Sequence, residues 1–419
     1  MRILLACWGT FGEVRPYLWL SRELMQAGHR VTVAGPAIFS RTFDQVAENY
    51  LPLPPELGAR SHDPAFLGRL FDARQGLEQL LSELLDPAAA AQREAVARLL
   101  AGAESQATPF ERAFVSWTAC GAFVACREAG LPTVQCHLYP QSLFPAEDLP
   151  VFMRWPRLTG RLQGGGASRA SASQLRAAIH RYAQALMPAL TALQVSAGWP
   201  PESRGPLPLA APWPRLALFP ESFLKRPEPG VSHLANHWAS RTGTPPPAVS
   251  RFLDEGPPPV VVSLGSVSAG APKALLAELA QALEHLGERA VLLLGLLQQG
   301  VERRSGSLLL AGDVWPTTVL PRAKAVVHHA GMGSLQEALA QGLPALALPR
   351  GFDQLDNAQR LVRLGLGLHL PPALQSGAVL RDSLDALRSD EALASRAETW
   401  ARERRLEQGV TPEEALALV

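Results

Sequence analysis

The sequence predicts an α/β protein of two domains, each built on a parallel sheet with crossover helices. Three observations carry that expectation. The chain has 419 residues, more than one hydrophobic core usually organises. Strand-length apolar runs alternate with helix-period segments in two separate series, which is the pattern of parallel strands joined by helices. Proline-rich stretches at 199–214 and 227–247 lie between the two series and read as loop and linker, so the boundary belongs near 205–245.

The first series opens with an apolar strand at 3–7 and a turn at 9–15. Val14, Tyr17, Leu18, Ser21, Leu24 and Met25 then recur at helical spacing, Gly28 closes that helix, and 31–34 is the next strand. A strand at 113–116, a helix at 120–129, Gly130 and a strand at 133–135 repeat the alternation. The second series follows Pro257, Pro258 and Pro259. It holds a strand at 260–264, a helix at 273–286 ended by Gly287, and buried strands at 290–294, 325–328 and 345–348. No repeat with a period of 20–50 residues is evident, which excludes a solenoid.

Composition narrows the function classes. Hydrophobic residues make up 47% and charged residues 18%, and the 37 prolines and 34 glycines follow no period, so collagen-like and wholly disordered chains are excluded. A net charge of +1 is no electrostatic footprint for nucleic acid. Cys7, Cys120, Cys126 and Cys136 form no C-x-x-C, and the apolar run ending at Cys7 is too short for a signal peptide, so a cytoplasmic protein with reduced thiols is expected. Cys120, Cys126, Cys136 and His137 match no structural zinc spacing, and no metal is expected. No apolar run approaches the ~18 residues needed to span a bilayer. Residues 149–201 contain no Asp or Glu, while Arg154, Arg157, Arg161, Arg169, Arg176 and Arg181 gather around Gly164, Gly165 and Gly166. That segment is either a solvated excursion with a basic helix or a peripheral patch for anionic lipid headgroups.

The most informative stretch is A-V-V-H-H-A-G-M-G-S-L-Q-E-A-L-A-Q-G-L-P-A-L-A-L-P at 325–349, read as strand, glycine turn, helix and strand. Gly331 and Gly333 let the backbone approach a ligand closely. The amides opening the helix at Ser334 carry roughly +0.5 of a charge from the aligned peptide dipoles, enough to hold a pyrophosphate without lysine or metal. His329 adds a donor to a phosphate oxygen. Glu337, three residues after Ser334, is either the partner in a capping box or an acceptor for the ribose 2′- and 3′-hydroxyls, and spacing alone favours the cap. Asp353 and Gln354, in P-R-G-F-D-Q-L-D-N, are either loop polarity with helix capping or a carboxylate–amide pair that reads sugar hydroxyls.

These residues together resemble the family 1 glycosyltransferases of the GT-B fold, whose signature runs from H-x-G-x-x-S/T through an acidic residue to D-Q. His329, Gly331, Ser334, Glu337, Asp353 and Gln354 fall in its register. The resemblance implies two Rossmann-like domains with parallel sheets facing a central cleft. It implies that His329, Gly331, Gly333 and Ser334 bind the donor pyrophosphate, Glu337 the ribose, and Asp353 with Gln354 the transferred sugar. V-V-V-S-L-G-S at 260–266 is similar to the family's first strand and loop of the C-terminal domain, which puts Gly265 and Ser266 on the phosphates. Val314 and Trp315 lie in the corresponding nucleobase loop, where Trp315 is a stacking residue or a core anchor.

At the other end, W-G-T-F-G-E-V-R-P at 8–16 resembles the turn of bacterial members acting on glycopeptides, sterols and rhamnolipids. Relatives often place a histidine base there, paired with an Asp about a hundred residues on. Here no histidine occupies the turn, and Ser116 and Trp117 stand where the Asp would lie. Glu13 is the candidate base, expected to be ionised at neutral pH. Its bland role is a capping box with Thr10, but Pro16 suits the first helical position, which leaves Glu13 in the loop. C-H-L-Y-P-Q-S-L-F-P-A-E-D-L-P at 136–150 resembles the acceptor-side loop of the rhamnolipid rhamnosyltransferase group, with Thr10, Phe11, His137 and Tyr139 as acceptor contacts. His137 is otherwise a satisfied strand-end histidine.

The resulting expectation is an inverting, metal-independent transferase. It moves a hexose from a nucleotide diphosphate sugar to a hydroxyl of an apolar small molecule or lipid. Glu337 favours a UDP-sugar over a dTDP-sugar, and no cofactor is expected beyond this co-substrate. Residues 1–215 are assigned to the acceptor domain, 216–250 to a linker, 251–395 to the donor domain and 396–419 to a C-terminal helix crossing back. An epimerase acting on UDP-sugars and a non-catalytic nucleotide-sugar-binding partner protein remain as alternatives.

Overall fold

The computed structural model describes residues 1–56, 63–72, 74–105, 108–163, 169–234, 243–265, 273–295, 302–404 and 409–418. The chain divides into two compact units, Met1–His237 with Gln408–Val419, and Trp238–Glu407.

In the first unit, seven parallel strands take the order β3-β2-β1-β4-β5-β6-β7. They are β1 (Arg2–Ala6), β2 (Arg30–Gly35), β3 (Asn49–Pro52), β4 (Arg112–Ser116), β5 (Thr133–His137), β6 (Arg215–Ala217) and β7 (Val231–His233). Ile3 pairs with Val31 on one side and Arg112 on the other, which buries Ile3, Leu4 and Leu5 on both faces and explains their unbroken apolar run. The first helix, Phe11–Gln26, turns Val14, Tyr17, Leu18, Ser21 and Leu24 inward. It starts earlier than the position of Pro16 suggests. Pro16 sits in the helix interior, where its missing N–H leaves the carbonyl of exposed Gly12 to solvent. β6 and β7 fall within or against the stretch read as linker. Each is three residues long and lacks the apolar length that marks a strand in sequence.

The second unit repeats the plan with the order β10-β11-β9-β8-β12-β13-β14. These are β8 (Val260–Ser263), β9 (Ala290–Leu293), β10 (Glu302–Ser305), β11 (Leu308–Ala311), β12 (Ala325–His328), β13 (Ala345–Ala347) and β14 (Gly367–His369). Among the described strands only β10 is antiparallel to its neighbour, and all four of its residues are exposed. A charged edge strand of this kind resists pairing with other chains and gives no apolar signal. One face of the sheet is covered by helices Lys273–His285 and Gly377–Ser389 through Val260, Val262, Leu279, Leu283, Val327, Leu346, Leu380 and Leu384.

The chain end differs from the helix expected over 396–419. Helix Glu391–Arg404 stays with the second unit, where a Cβ on Gly342 would lie 3.0 Å from the Glu398 Cα. Only the following residues join the first unit. Val410 bridges to Leu234, His29 Nε2 lies 3.0 Å from Glu413, and Arg112 Nε donates to the Leu416 carbonyl at 3.2 Å.

Candidate functional site

In an open parallel sheet, ligands bind beyond the strand C-termini at the point where strand order reverses. In the second unit that point lies between β8 and β12, paired through Ser263 and His328. The loops leaving these strands carry Gly265 and His329–Gly331. In the first unit the reversal falls between β1 and β4, followed by Thr10–Glu13 and Trp117.

The imidazole of His329 lies against two glycines. A Cβ on Gly265, at φ +101°, would come within 2.9 Å of its Cε1, and one on Gly331 would collide with its Nε2. These glycines therefore make room for the histidine ring. Gly333 faces open space, as a ligand approach requires. Burial, with a smaller contribution from Arg350, lowers the His329 pKa to about 4, against an opposing hydrogen bond with the Ser263 backbone. At neutral pH His329 is an uncharged hydrogen-bonding ring.

The helix that follows is Met332–Ala340, capped at Gly331, so it opens two residues before Ser334. Met332, Gly333 and Ser334 form its first turn and present their amides. This register removes the capping-box reading of Glu337, which sits past the first turn and is only 3% exposed. A buried carboxylate in mid-helix is not explained by capping.

The preceding turn is held from its sides. Ala330 has φ +64°, unusual for a non-glycine residue. Its N–H donates to His328 Nδ1 at 2.9 Å, and its carbonyl accepts from Asn357 Nδ2 at 3.0 Å. The same Nδ2 donates to Asp353 Oδ2 at 2.5 Å. Asp353 stands at the N-cap of helix Gln354–Arg363 but its side chain makes no capping bond. Gln354 Oε1 accepts from the backbone N–H of Arg350 at 2.8 Å and of Gly351 at 3.2 Å, closing the loop in which Phe352 also takes positive φ. Val314 is buried and Trp315 half-buried. Ser266 lies outside the described residues.

Around the first-unit turn, Glu13 is the third residue of its helix and accepts from the Thr10 N–H at 3.0 Å, so the capping box with Thr10 is formed and Glu13 does not lie in the loop that Pro16 suggested. The carboxylate lies so close to Gly9, at φ +145°, that any Cβ there would collide with it. Burial raises the Glu13 pKa to about 7, opposed by hydrogen bonds from the Thr10 backbone and the Tyr139 hydroxyl. Glu13 is thus about half protonated at neutral pH instead of fully ionised. Tyr139 meets Trp117 edge to face at 6.2 Å. His137, at the end of β5, is 2% exposed and has the Ser142 backbone as a hydrogen-bonding neighbour. Burial and then Arg215 lower its pKa to about 3. Phe11 packs on Phe39 at 5.8 Å, beside half-buried Thr10.

Four features escaped the sequence reading: Gly9 as the seat of Glu13, the Tyr139–Glu13 bond, Asn357, and Arg350. The last two lie in the quoted P-R-G-F-D-Q-L-D-N, where proximity to D-Q was the available signal. Of the acid-free segment, Arg154 pairs with Glu78 at 2.8 Å, and Arg176 donates twice to the Phe144 carbonyl. These two are engaged within the unit, whereas Arg157 and Arg181 are exposed. Among the described residues, no three His, Cys, Asp or Glu gather to hold a metal, and no helix is long and apolar enough to cross a membrane.

A family model described as the erythromycin biosynthesis protein CIII-like C-terminal domain matches residues 301–416. O-mycaminosyltylonolide 6-deoxyallosyltransferase of Streptomyces fradiae is 27% identical over 98% of this chain and 95% of its own length. Among solved structures, the glycotransferase of kitacinnamycin superposes with a TM-score of 0.70 at 20% identity, covering 100% of this chain and 97% of its own. Spinosyn rhamnosyltransferase SpnG complexed with thymidine diphosphate gives 0.64 at 18% identity, covering 100% and 99%.

Proposed function

We propose that this chain, which belongs to the family 1 glycosyltransferases of the GT-B fold, moves a hexose from a nucleotide diphosphate sugar to a hydroxyl of an apolar natural product or lipid. The observation that carries the reading is the second-unit turn, where a neutral histidine cradled by glycines stands beside the open first turn of a helix. Backbone amides, the helix dipole and the His329 hydrogen bond stabilise the charge that develops on the departing diphosphate, without requiring a metal. Arg350 adds a guanidinium next to His329.

The reaction is a single displacement with inversion. The acceptor oxygen attacks the anomeric carbon, the bond from that carbon to the phosphate oxygen breaks, and the acceptor proton passes to Glu13. A carboxylate with a pKa of about 7 is matched to taking that proton at neutral pH. Thr10, Phe11, His137 and Tyr139 line the acceptor side. His137 offers a buried polar ring to a polar group of an otherwise apolar molecule. The erythromycin pathway named for the domain family, and the O-mycaminosyltylonolide named for the S. fradiae relative, support a natural-product acceptor.

Glu337 supports a ribonucleotide and so a UDP-sugar. The thymidine diphosphate bound by SpnG supports testing dTDP-sugars beside it. Exposed Arg157 and Arg181 support peripheral contact with anionic lipid. The experiment is a donor screen that follows release of UDP or dTDP against a panel of hydroxylated aglycones and lipids. Acceptor-dependent release supports transfer. Turnover of UDP-sugar without acceptor would replace it with epimerisation or hydrolysis, and binding without any turnover would leave a nucleotide-sugar-binding protein.

A further inference from the structure

We propose that Asn357 is the positioning residue that couples the phosphate turn to the sugar-reading carboxylate. The inference rests on the donor-site reading above and goes beyond it, because Asn357 belongs to neither group of ligand contacts. Its side chain is fully buried on helix Gln354–Arg363. Both groups it bonds through Nδ2, the Ala330 carbonyl at 3.0 Å and the Asp353 carboxylate at 2.5 Å, are acceptors, which fixes the amide orientation. Twenty-seven residues separate Asn357 from Ala330, so one NH₂ group ties together two loops distant in sequence.

The bond to Ala330 falls where it matters most. Ala330 is the residue at φ +64° between His329 and Gly331, and alanine holds that conformation only when its surroundings enforce it. Its two backbone polar groups are both taken by side chains, His328 on the N–H and Asn357 on the carbonyl. This single left-handed residue sets the His329 ring over Gly265 and starts the next helix at Met332. Through the same nitrogen, Asn357 fixes one oxygen of Asp353. A shift of the phosphate turn therefore moves the sugar carboxylate, and the reverse. Asn357 makes the two donor contacts one rigid unit.

The test is titration calorimetry of the full chain with UDP, UDP-glucose, dTDP and dTDP-glucose. Asn357→Ala is expected to raise the Kd of the preferred nucleoside diphosphate about tenfold, and that of its glucose derivative by a further factor of several. Adding Ala330→Gly, which takes positive φ without a clamp, is expected to recover most of the nucleotide affinity and none of the sugar-dependent loss. A merely structural role would lower all affinities alike and would not be rescued selectively. Far-UV circular dichroism establishes that each variant is folded. Asn357→Ser, which keeps one donor, is expected to fall between wild type and Asn357→Ala. Unchanged affinities in folded Asn357→Ala, or no recovery from Ala330→Gly, overturn the proposal alone. A wild-type chain that binds none of the four probes overturns the donor-site reading and this proposal with it.

Discussion

The two switch-point loops, to which the proposed function gives the two reacting groups, are built from opposite materials. The second-unit turn is made of backbone: glycines, helix amides, a strained alanine and a histidine kept neutral by burial. The first-unit turn is made of titratable side chains, with Glu13 raised to about 7 by burial against the Tyr139 hydrogen bond, and His137 buried close to Tyr139 in sequence. A binding site for a constant charge gains from groups that do not change state near neutral pH. A site that must accept a proton needs one that does. The contrast predicts that chemistry and donor binding respond separately to perturbation.

Glu13→Gln gives the largest separation. Transfer is expected to fall by about 10²–10⁴-fold while UDP or dTDP affinity stays within twofold. Loss of nucleotide affinity in this variant would break the division of labour between the two loops.

The pH dependence is the next largest effect. Glu13 must be deprotonated to act, so the transfer rate is expected to rise with pH and level off above about 7, falling roughly tenfold per unit below 6. Affinity for the nucleotide sugar, whose diphosphate carries no proton near neutrality, should be flat from about pH 6.5 to 8.5, since burial holds the His329 pKa down at about 4. A rate profile without an inflection near 7 would remove Glu13 as the base.

Arg350→Gln is expected to weaken nucleoside diphosphate binding by roughly tenfold and nucleoside binding hardly at all, because the lost group meets phosphate charge. Equal losses for diphosphate and nucleoside would reassign Arg350 to a structural role.

A smaller effect concerns stability. A carboxyl whose pKa is raised on folding binds more protons folded than unfolded between its ordinary range near 4.5 and about 7, so its contribution to stability declines as pH rises through that window. Glu13→Gln removes this dependence. Its melting temperature should exceed that of the wild type by more at pH 8 than at pH 5, as differential scanning fluorimetry can establish.

The smallest effect is at the surface. Arg157→Ala alone should reduce binding to phosphatidylserine vesicles by a few-fold at low salt, since about 1 kcal/mol attends each basic residue near an anionic surface.

Sequence resolved the two regions unequally for the same physical reason that divides them. A backbone site must follow a strict spacing, so His329, Gly331, Ser334 and the D-Q pair could be read in register. The fine structure of that site was hidden. The capping-box spacing of Ser334 and Glu337 misled because the helix starts at Met332, and a local pattern carries no information about which residue takes the cap. The first-unit site is assembled from β1, β4 and β5 loops brought together by pairing across more than a hundred residues. Glu13 was visible through its motif, but its protonation depends on Tyr139 and on the burial that packing imposes. In the fold, long buried strands such as β1, β8 and β12 announced themselves. β6, β7 and β14 did not, since each is three residues long with a polar or glycine residue within it, and β10 is polar throughout.

The four cysteines have a practical consequence. All are free and buried, and burial pushes the thiols of Cys120, Cys126 and Cys136 up to about 12 and that of Cys7 higher still. Thiolate is the species that reacts with maleimide dyes, so the native chain is a dark background for labelling. A single cysteine placed at exposed Ile38 in the first unit and another at exposed Leu374 in the second would accept a donor–acceptor dye pair without first removing any natural thiol. Fluorescence transfer between them would then follow the two units in solution as nucleotide is added.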